Sequence, residues 1–148
     1  MQIEIRRANP LDYVSFLQAS DDYAASLYPA ESNHMLDVET LLSTQMHFFG
    51  VAVDGVAMGC GGFLAHEDYV EIKRIYIDPA ARGMGLSKKL MNALEDEALA
   101  KGYKMARLET GIHQPEALGL YKAIGYQFCQ PFGDYQLDPL SVFMEKTL

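Results

Sequence analysis

Residues 82–87 read Arg82-Gly83-Met84-Gly85-Leu86-Ser87, between a β-branched stretch over residues 70–77 and a segment with an apolar residue at every fourth position. A chain that passes from strand to helix through two glycines one residue apart can turn successive backbone N–H groups inward, at the positive end of the new helix. Such a turn is a cradle for an anion, and a pyrophosphate is the anion expected there.

Three kinds of glycine loop compete for this position, and spacing separates them. A Walker loop needs glycine, four residues, then Gly-Lys-Ser/Thr, whereas Lys88 has no glycine before it. A dinucleotide fingerprint needs a third glycine where Lys88 stands. The pattern left is Arg-x-x-Gly-x-Ser.

A second segment lies about 30 residues downstream, from Glu109-Thr110-Gly111-Ile112-His113-Gln114-Pro115 through Ala117, Leu120-Tyr121 and Gly125-Tyr126. Together the two segments resemble the GNAT superfamily of N-acetyltransferases. That family's acetyl-CoA loop reads Gln/Arg-x-x-Gly-x-Gly/Ala after the fourth strand, and a later strand leads into an Asn-x-x-Ala-x-x-Leu-Tyr helix followed by Gly-Phe or Gly-Tyr. Ser87 replaces the last small residue of the loop and Gln114 takes the asparagine position.

The resemblance implies a mixed α/β fold: a central, mostly antiparallel sheet of six to seven strands, strands four and five splayed apart, and about four flanking helices. It implies acetyl-CoA as cosubstrate and no metal. The backbone around Ile75, Tyr76 and Ile77 is assigned to the pantetheine and the thioester oxygen, and Arg82, Gly83, Met84, Gly85, Leu86 and Ser87, with Gln114, to the rest of the cofactor. Tyr121 matches the helix tyrosine that protonates or hydrogen-bonds the leaving sulfur. A phenol with an ordinary pKa of about 10 is protonated at neutral pH, and a thiolate of about 8.5 is a feasible acceptor. Glu71, at the start of strand four, is the carboxylate candidate for general base, with a solvated strand charge as its structural alternative.

The likeness extends to a narrower bacterial group of small-molecule N-acetyltransferases. The shared segments are Pro29-Ala30-Glu31-Ser32-Asn33-His34 and Pro131-Phe132-Gly133-Asp134-Tyr135, followed by Asp138-Pro139 and Ser141-Val142-Phe143. Glu31 and His34 are expected on the acceptor side, His34 as an alternative base, with a structural or capping role as the other reading of both. Direct transfer to the primary amine of a small molecule in a ternary complex is the activity expected. A peptide or protein amine, or a module that binds acetyl-CoA without turnover, are the alternatives.

The 148 residues, 49% of them hydrophobic, suit one domain spanning 1–148. A formal charge of −8 stands against broad contacts with nucleic acid or anionic lipid. No apolar run approaches the roughly 20 residues of a membrane span, and residues 1–7 alternate like a strand instead of a signal peptide, so a cytoplasmic protein is expected. The resemblance leaves room for a homodimer. Cys60 and Cys129 form neither a metal cluster nor a disulfide framework, and both are expected as buried or half-buried thiols.

Along the chain, residues 2–7 predict a strand, and Asn9-Pro10-Leu11-Asp12 caps a helix expected to reach about Tyr23. A short helix is expected over residues 37–44. Strands 48–53 and 56–64 flank Asp54-Gly55, a hairpin turn, and 69–77 continues the sheet. Leu86, Leu90, Leu94 and Ala98 mark one face of the following helix, which Lys101-Gly102 ends. Residues 105–110 predict a strand parallel to the one before, Pro115 opens the last helix, and 126–130 and 141–146 predict terminal strands. Alternation places Lys73 and Arg74 on opposite faces of strand four unless a bulge intervenes, so at most one of them is expected at the pocket. His113 is expected to be a loop residue.

Overall fold

Seven strands among the described residues form one sheet. The computed structural model describes residues 1–29 and 38–148. The strands are β1 (Ile3–Arg7), β2 (Met46–Val53), β3 (Val56–Ala65), β4 (Val70–Ile77), β5 (Met105–Gly111), β6 (Gln127–Phe128) and β7 (Ser141–Thr147). Their order across the sheet is β1-β2-β3-β4-β5-β7-β6, and all neighbours run antiparallel except β4 and β5, which are parallel. The helices are α1 (Val14–Leu27), α2 (Val38–Leu41), α3 (Leu86–Ala100) and α4 (Pro115–Ala123). No helix among the described residues is long and apolar enough to cross a membrane.

Local chemistry accounts for the joints. Asp54 and Gly55 both take positive φ, 50° and 82°, as a two-residue turn matched to the sheet twist requires. The Asn9 side chain accepts from the Leu11 amide at 3.0 Å, but it caps a 3-10 turn over Pro10–Tyr13 before α1 begins. The helix then runs four residues past the predicted end at Tyr23, because nothing between Tyr23 and Pro29 breaks it. The second helix is a single turn, and β6 is two residues long where five were predicted.

The main core lies between the sheet and α3. Leu86, Leu90, Leu94 and Ala98 are all buried there, against Phe63, Val70, Ile72, Leu108 and Met144. Each of the larger side chains here contributes roughly 1.5–3 kcal/mol by leaving water, and Ala98 less. Glu95 is buried on the same helix and accepts from the Tyr126 hydroxyl at 3.0 Å and the Lys146 ammonium at 2.7 Å, which ties α3 to β7. A smaller cluster on the other face joins Leu17 of α1 to Leu41, Phe48 and Cys60. The two layers hold the sheet from both sides and leave the parting between β4 and β5 open.

Candidate active site

The parting begins early. Strand β4 pairs with β5 through Val70↔Ala106, Glu71↔Arg107 and Ile72↔Leu108, and the ladder stops there. On its other edge β4 bulges: Gly62 faces Lys73 and Cys60 faces Tyr76, so Arg74 and Ile75 share the place opposite Gly61. Arg74 carries the bulge at φ 63°, a left-handed conformation that costs a residue with a side chain about 1–2 kcal/mol. Its buried guanidinium is secured by an ion pair with Asp21 of α1 and a 3.2 Å bond to the Leu17 carbonyl. The extra residue also interrupts alternation and brings Lys73 and Arg74 both to the wall of the opening, where sequence alternation admitted only one.

The opening is a cleft of about 680 Å³ between the glycine loop and the C-terminal end of β5. Ile75, Tyr76 and Ile77 line it from the edge of β4 that β5 has left. At its loop end Gly83 and Gly85 have φ of 86° and 73°, and a Cβ added at either would meet no protein atom within 4 Å. Glycine is therefore required by backbone conformation, and open space lies before it. Helix α3 starts directly after Gly85 with no side chain capping it. Its first amides keep their positive partial charge for an anion. Leu86 and Ser87 both line the cleft, Leu86 as a buried core side chain, while Met84 packs against the core beside them. The Arg82 guanidinium lies 5.9 Å from the Tyr76 ring centre and donates through Nε to the Ile77 carbonyl at 3.2 Å.

Tyr121 stands in the wall from α4 and is only 8% exposed, with its ring edge-on to Tyr126 at 5.9 Å. Among the described residues no group hydrogen-bonds its hydroxyl. Burial, followed by the nearby charge of Glu109, pushes its pKa up to about 12. The phenol stays protonated throughout the physiological range.

Glu71 is more enclosed than a solvated strand charge, at 4% exposure. Oε1 meets His66 Nε2 at 2.9 Å; Oε2 accepts from Lys73 Nζ at 3.0 Å and from the Tyr135 hydroxyl at 2.6 Å. Lys73 also donates to the Tyr135 oxygen at 2.7 Å. Burial alone would raise this carboxyl, but the Lys73 ammonium and the hydrogen bonds from Tyr135, Lys73 and His66 outweigh it and hold the pKa below the usual carboxylate value. Tyr135 carries no role in the sequence analysis. The only signal for it was its place in the Pro131-Phe132-Gly133-Asp134-Tyr135 motif, since a contact spanning 64 residues has no local pattern.

Gln114 is at the mouth, but its Oε1 is occupied by the Gly111 amide and the Tyr28 hydroxyl, each at 3.3 Å. Tyr28 in turn accepts from the His113 amide at 3.1 Å and stacks on the His113 ring at 5.5 Å. His113 is thus half of a brace between the end of α1 and the β5–α4 junction, a partnership with no local sequence pattern. Gly111 makes room for that brace, because any Cβ there would collide with the Tyr28 phenol. Cys60 is fully buried and its thiol is pushed up to about 12 by desolvation. Glu31 and His34 lie outside the described residues.

Comparison with known proteins agrees with this geometry. Residues 13–126 match the model of the acetyltransferase (GNAT) family. The chain is 40% identical over 150 residues to an IAA acetyltransferase of Azospirillum brasilense, covering 99% of this chain and 98% of the relative. Among solved structures, one named as an acyl-CoA N-acyltransferase from Klebsiella pneumoniae is 38% identical, with a TM-score of 0.84 and coverage of 99% and 98%. A PaiA N-acetyltransferase from Thermoplasma acidophilum, in complex with coenzyme A, shares the fold at 19% identity, with a TM-score of 0.77 over 100% of both chains.

Proposed function

The chain belongs to the acetyltransferase (GNAT) family, and from that premise we propose that it moves an acetyl group from acetyl-CoA to the primary amine of a small molecule by direct transfer. The observation that carries this reading is one continuous cleft with a glycine cradle at one end, a buried carboxylate network at the other, and a protonated phenol in its wall. The Azospirillum relative is named for IAA, which favours a small acceptor here. The coenzyme A held by the Thermoplasma fold neighbour favours the same ligand in this cleft.

Acetyl-CoA supplies the activated acetyl thioester. The chain's own part is binding, orientation and proton handling. The Gly83 and Gly85 turn and the first amides of α3 hold the pyrophosphate, Arg82 adds charge beside it, and the open edge of β4 at Ile75, Tyr76 and Ile77 offers backbone groups to the pantetheine and the thioester oxygen. Tyr121, in the cleft wall, would donate a hydrogen bond to the departing sulfur. Glu71 takes up the proton that the acceptor ammonium must lose before its nitrogen can attack. Direct transfer is favoured over an acetylated enzyme because Cys60 is buried and its raised pKa keeps it a thiol, which is a poor nucleophile.

Gly85→Val tests the cofactor end. Valine is β-branched and tolerates φ of 73° poorly, and its side chain fills the space before the loop. Calorimetry is expected to show acetyl-CoA affinity lowered at least 10-fold, a change of about 1.4 kcal/mol or more. Unchanged affinity would mean that the loop does not hold the ligand.

A further inference from the structure

Glu71 is poorly placed to meet an amine by itself. Its carboxylate is enclosed, with Oε1 turned to His66 and Oε2 engaged by Lys73 and Tyr135. Glu71 itself borders the cleft, but both of its oxygens are engaged, so a proton leaving the cleft for it travels through one of these neighbours or displaces it. The three differ in what they can do. A lysine ammonium has donors only and cannot take up a proton. His66 stands on the turn after β3, stacked on Tyr69 at 4.5 Å, and is not part of the cleft wall. Tyr135 lines the cleft, and its hydroxyl both accepts, from Lys73 at 2.7 Å, and donates, to Glu71 at 2.6 Å. Among the described residues it alone joins access to the cleft with the ability to receive and pass a proton to Glu71.

Resting on the transfer reaction proposed above, we propose that Tyr135 is the proton relay between the acceptor amine and Glu71. As the acceptor ammonium gives a proton to Tyr135 Oη, the N–H bond breaks and a new O–H bond forms. In the same step the original Oη–H bond breaks and its proton goes to Glu71 Oε2. The amine is left neutral with its lone pair free, the phenol is regenerated, and the carboxylate becomes a carboxylic acid, so one proton has moved and no charge is left on the tyrosine.

The surroundings suit this role. The 2.6 Å bond has the length of a charge-assisted O–H···O⁻ contact, so the phenol proton already points at its destination. Lys73 Nζ, 2.7 Å from the Tyr135 oxygen and 3.0 Å from Glu71 Oε2, disfavours a full cation on the phenol and keeps the transfer concerted. The ring is fixed by edge contacts with Phe132 at 5.3 Å and Phe143 at 5.5 Å. The loop that carries it turns at Gly133, φ 58°, where a Cβ would press on the Tyr69 hydroxyl at 3.1 Å. Once the product has left, the partners that hold the Glu71 carboxyl below the usual value favour loss of the acquired proton to water.

The test compares Tyr135→Phe with Glu71→Gln in acetyl-CoA-dependent turnover of an amine acceptor, with acetyl-CoA affinity measured by calorimetry. Tyr135→Phe keeps the ring packing and is expected to lower turnover about 20-fold, since water can carry the proton less well. Acetyl-CoA affinity should stay within twofold. In mixed H₂O and D₂O the wild-type rate should respond as two protons in flight, and a single-proton response would overturn the relay. A wild-type rate in Tyr135→Phe beside a defective Glu71→Gln would overturn the relay and leave Glu71 as the base. Wild-type rates in both would overturn the relay together with the role of Glu71. 3,5-Difluorotyrosine at position 135 serves if the phenylalanine variant fails to fold. It keeps the hydroxyl and ring while loosening the proton, so kcat/KM should change; an unchanged kcat/KM would overturn the relay.

Discussion

Tyr121→Phe is expected to lower turnover about 10²-fold while acetyl-CoA affinity and folding stay near wild type. The two roles of this side chain are separable, because its ring packs against Tyr126 and the core while its hydroxyl has no hydrogen-bond partner among the described residues. Phenylalanine keeps the first role and removes the second. The raised pKa of about 12 also says what kind of help to expect. A phenol that holds its proton this firmly stabilises sulfur by donating a hydrogen bond, and complete transfer to a thiolate of ordinary pKa about 8.5 would be uphill by roughly 5 kcal/mol. The rate of Tyr121→Phe should therefore show little pH dependence of its own through neutrality. Steady-state kinetics under conditions where chemistry limits turnover check this, and a wild-type rate would leave water as the proton source for the sulfur.

Glu71→Gln is expected to have the larger effect, about 10³-fold in turnover, since an amide cannot take up the ammonium proton. The change also leaves the Lys73 ammonium, 12% exposed, without its countercharge. Urea unfolding should accordingly show a destabilised but folded protein. The sign with pH follows from the direction of the Glu71 shift. A carboxyl whose folded pKa is depressed contributes its stability above the ordinary carboxylate pKa and loses it as pH falls through the folded value. The stability gap between wild type and Glu71→Gln should therefore be full at neutral pH and close in acid. Glu71→Asp, which keeps the charge, should recover most of the stability but less of the rate.

These residues differ in how far the sequence announced them. The glycine loop, the α3 face from Leu86 to Ala98 and the Asp54-Gly55 turn were legible because each depends on neighbours within a few positions: a required φ, a 3.6-residue period, a two-residue reversal. The start of the β4–β5 parting was legible only through the family resemblance, since a lost ladder leaves no mark on composition. The rest was hidden by distance along the chain. Glu71 reads in sequence as a strand charge with even claims to solvent and to catalysis; its burial is decided by Tyr135, 64 residues away, and by His66 across a turn. Arg74 is similar. Alternation assigned it the opposite face from Lys73, and the bulge that moves it is secured by Asp21, 53 residues away. Tyr28, Gly111 and His113 close the mouth by contacts of the same long range.

The most direct measurement is CoA thiol release from acetyl-CoA over a panel of primary amines that includes amino acids, with the product identified by mass and both substrates varied. At least one small amine should release thiol in step with its own N-acetylation, with initial-rate lines that intersect as a ternary complex requires, and with turnover cut by Tyr121→Phe and Glu71→Gln. Tight acetyl-CoA binding with no amine raising thiol release above the buffer rate would contradict the proposed transfer and leave the cleft a binding site without turnover.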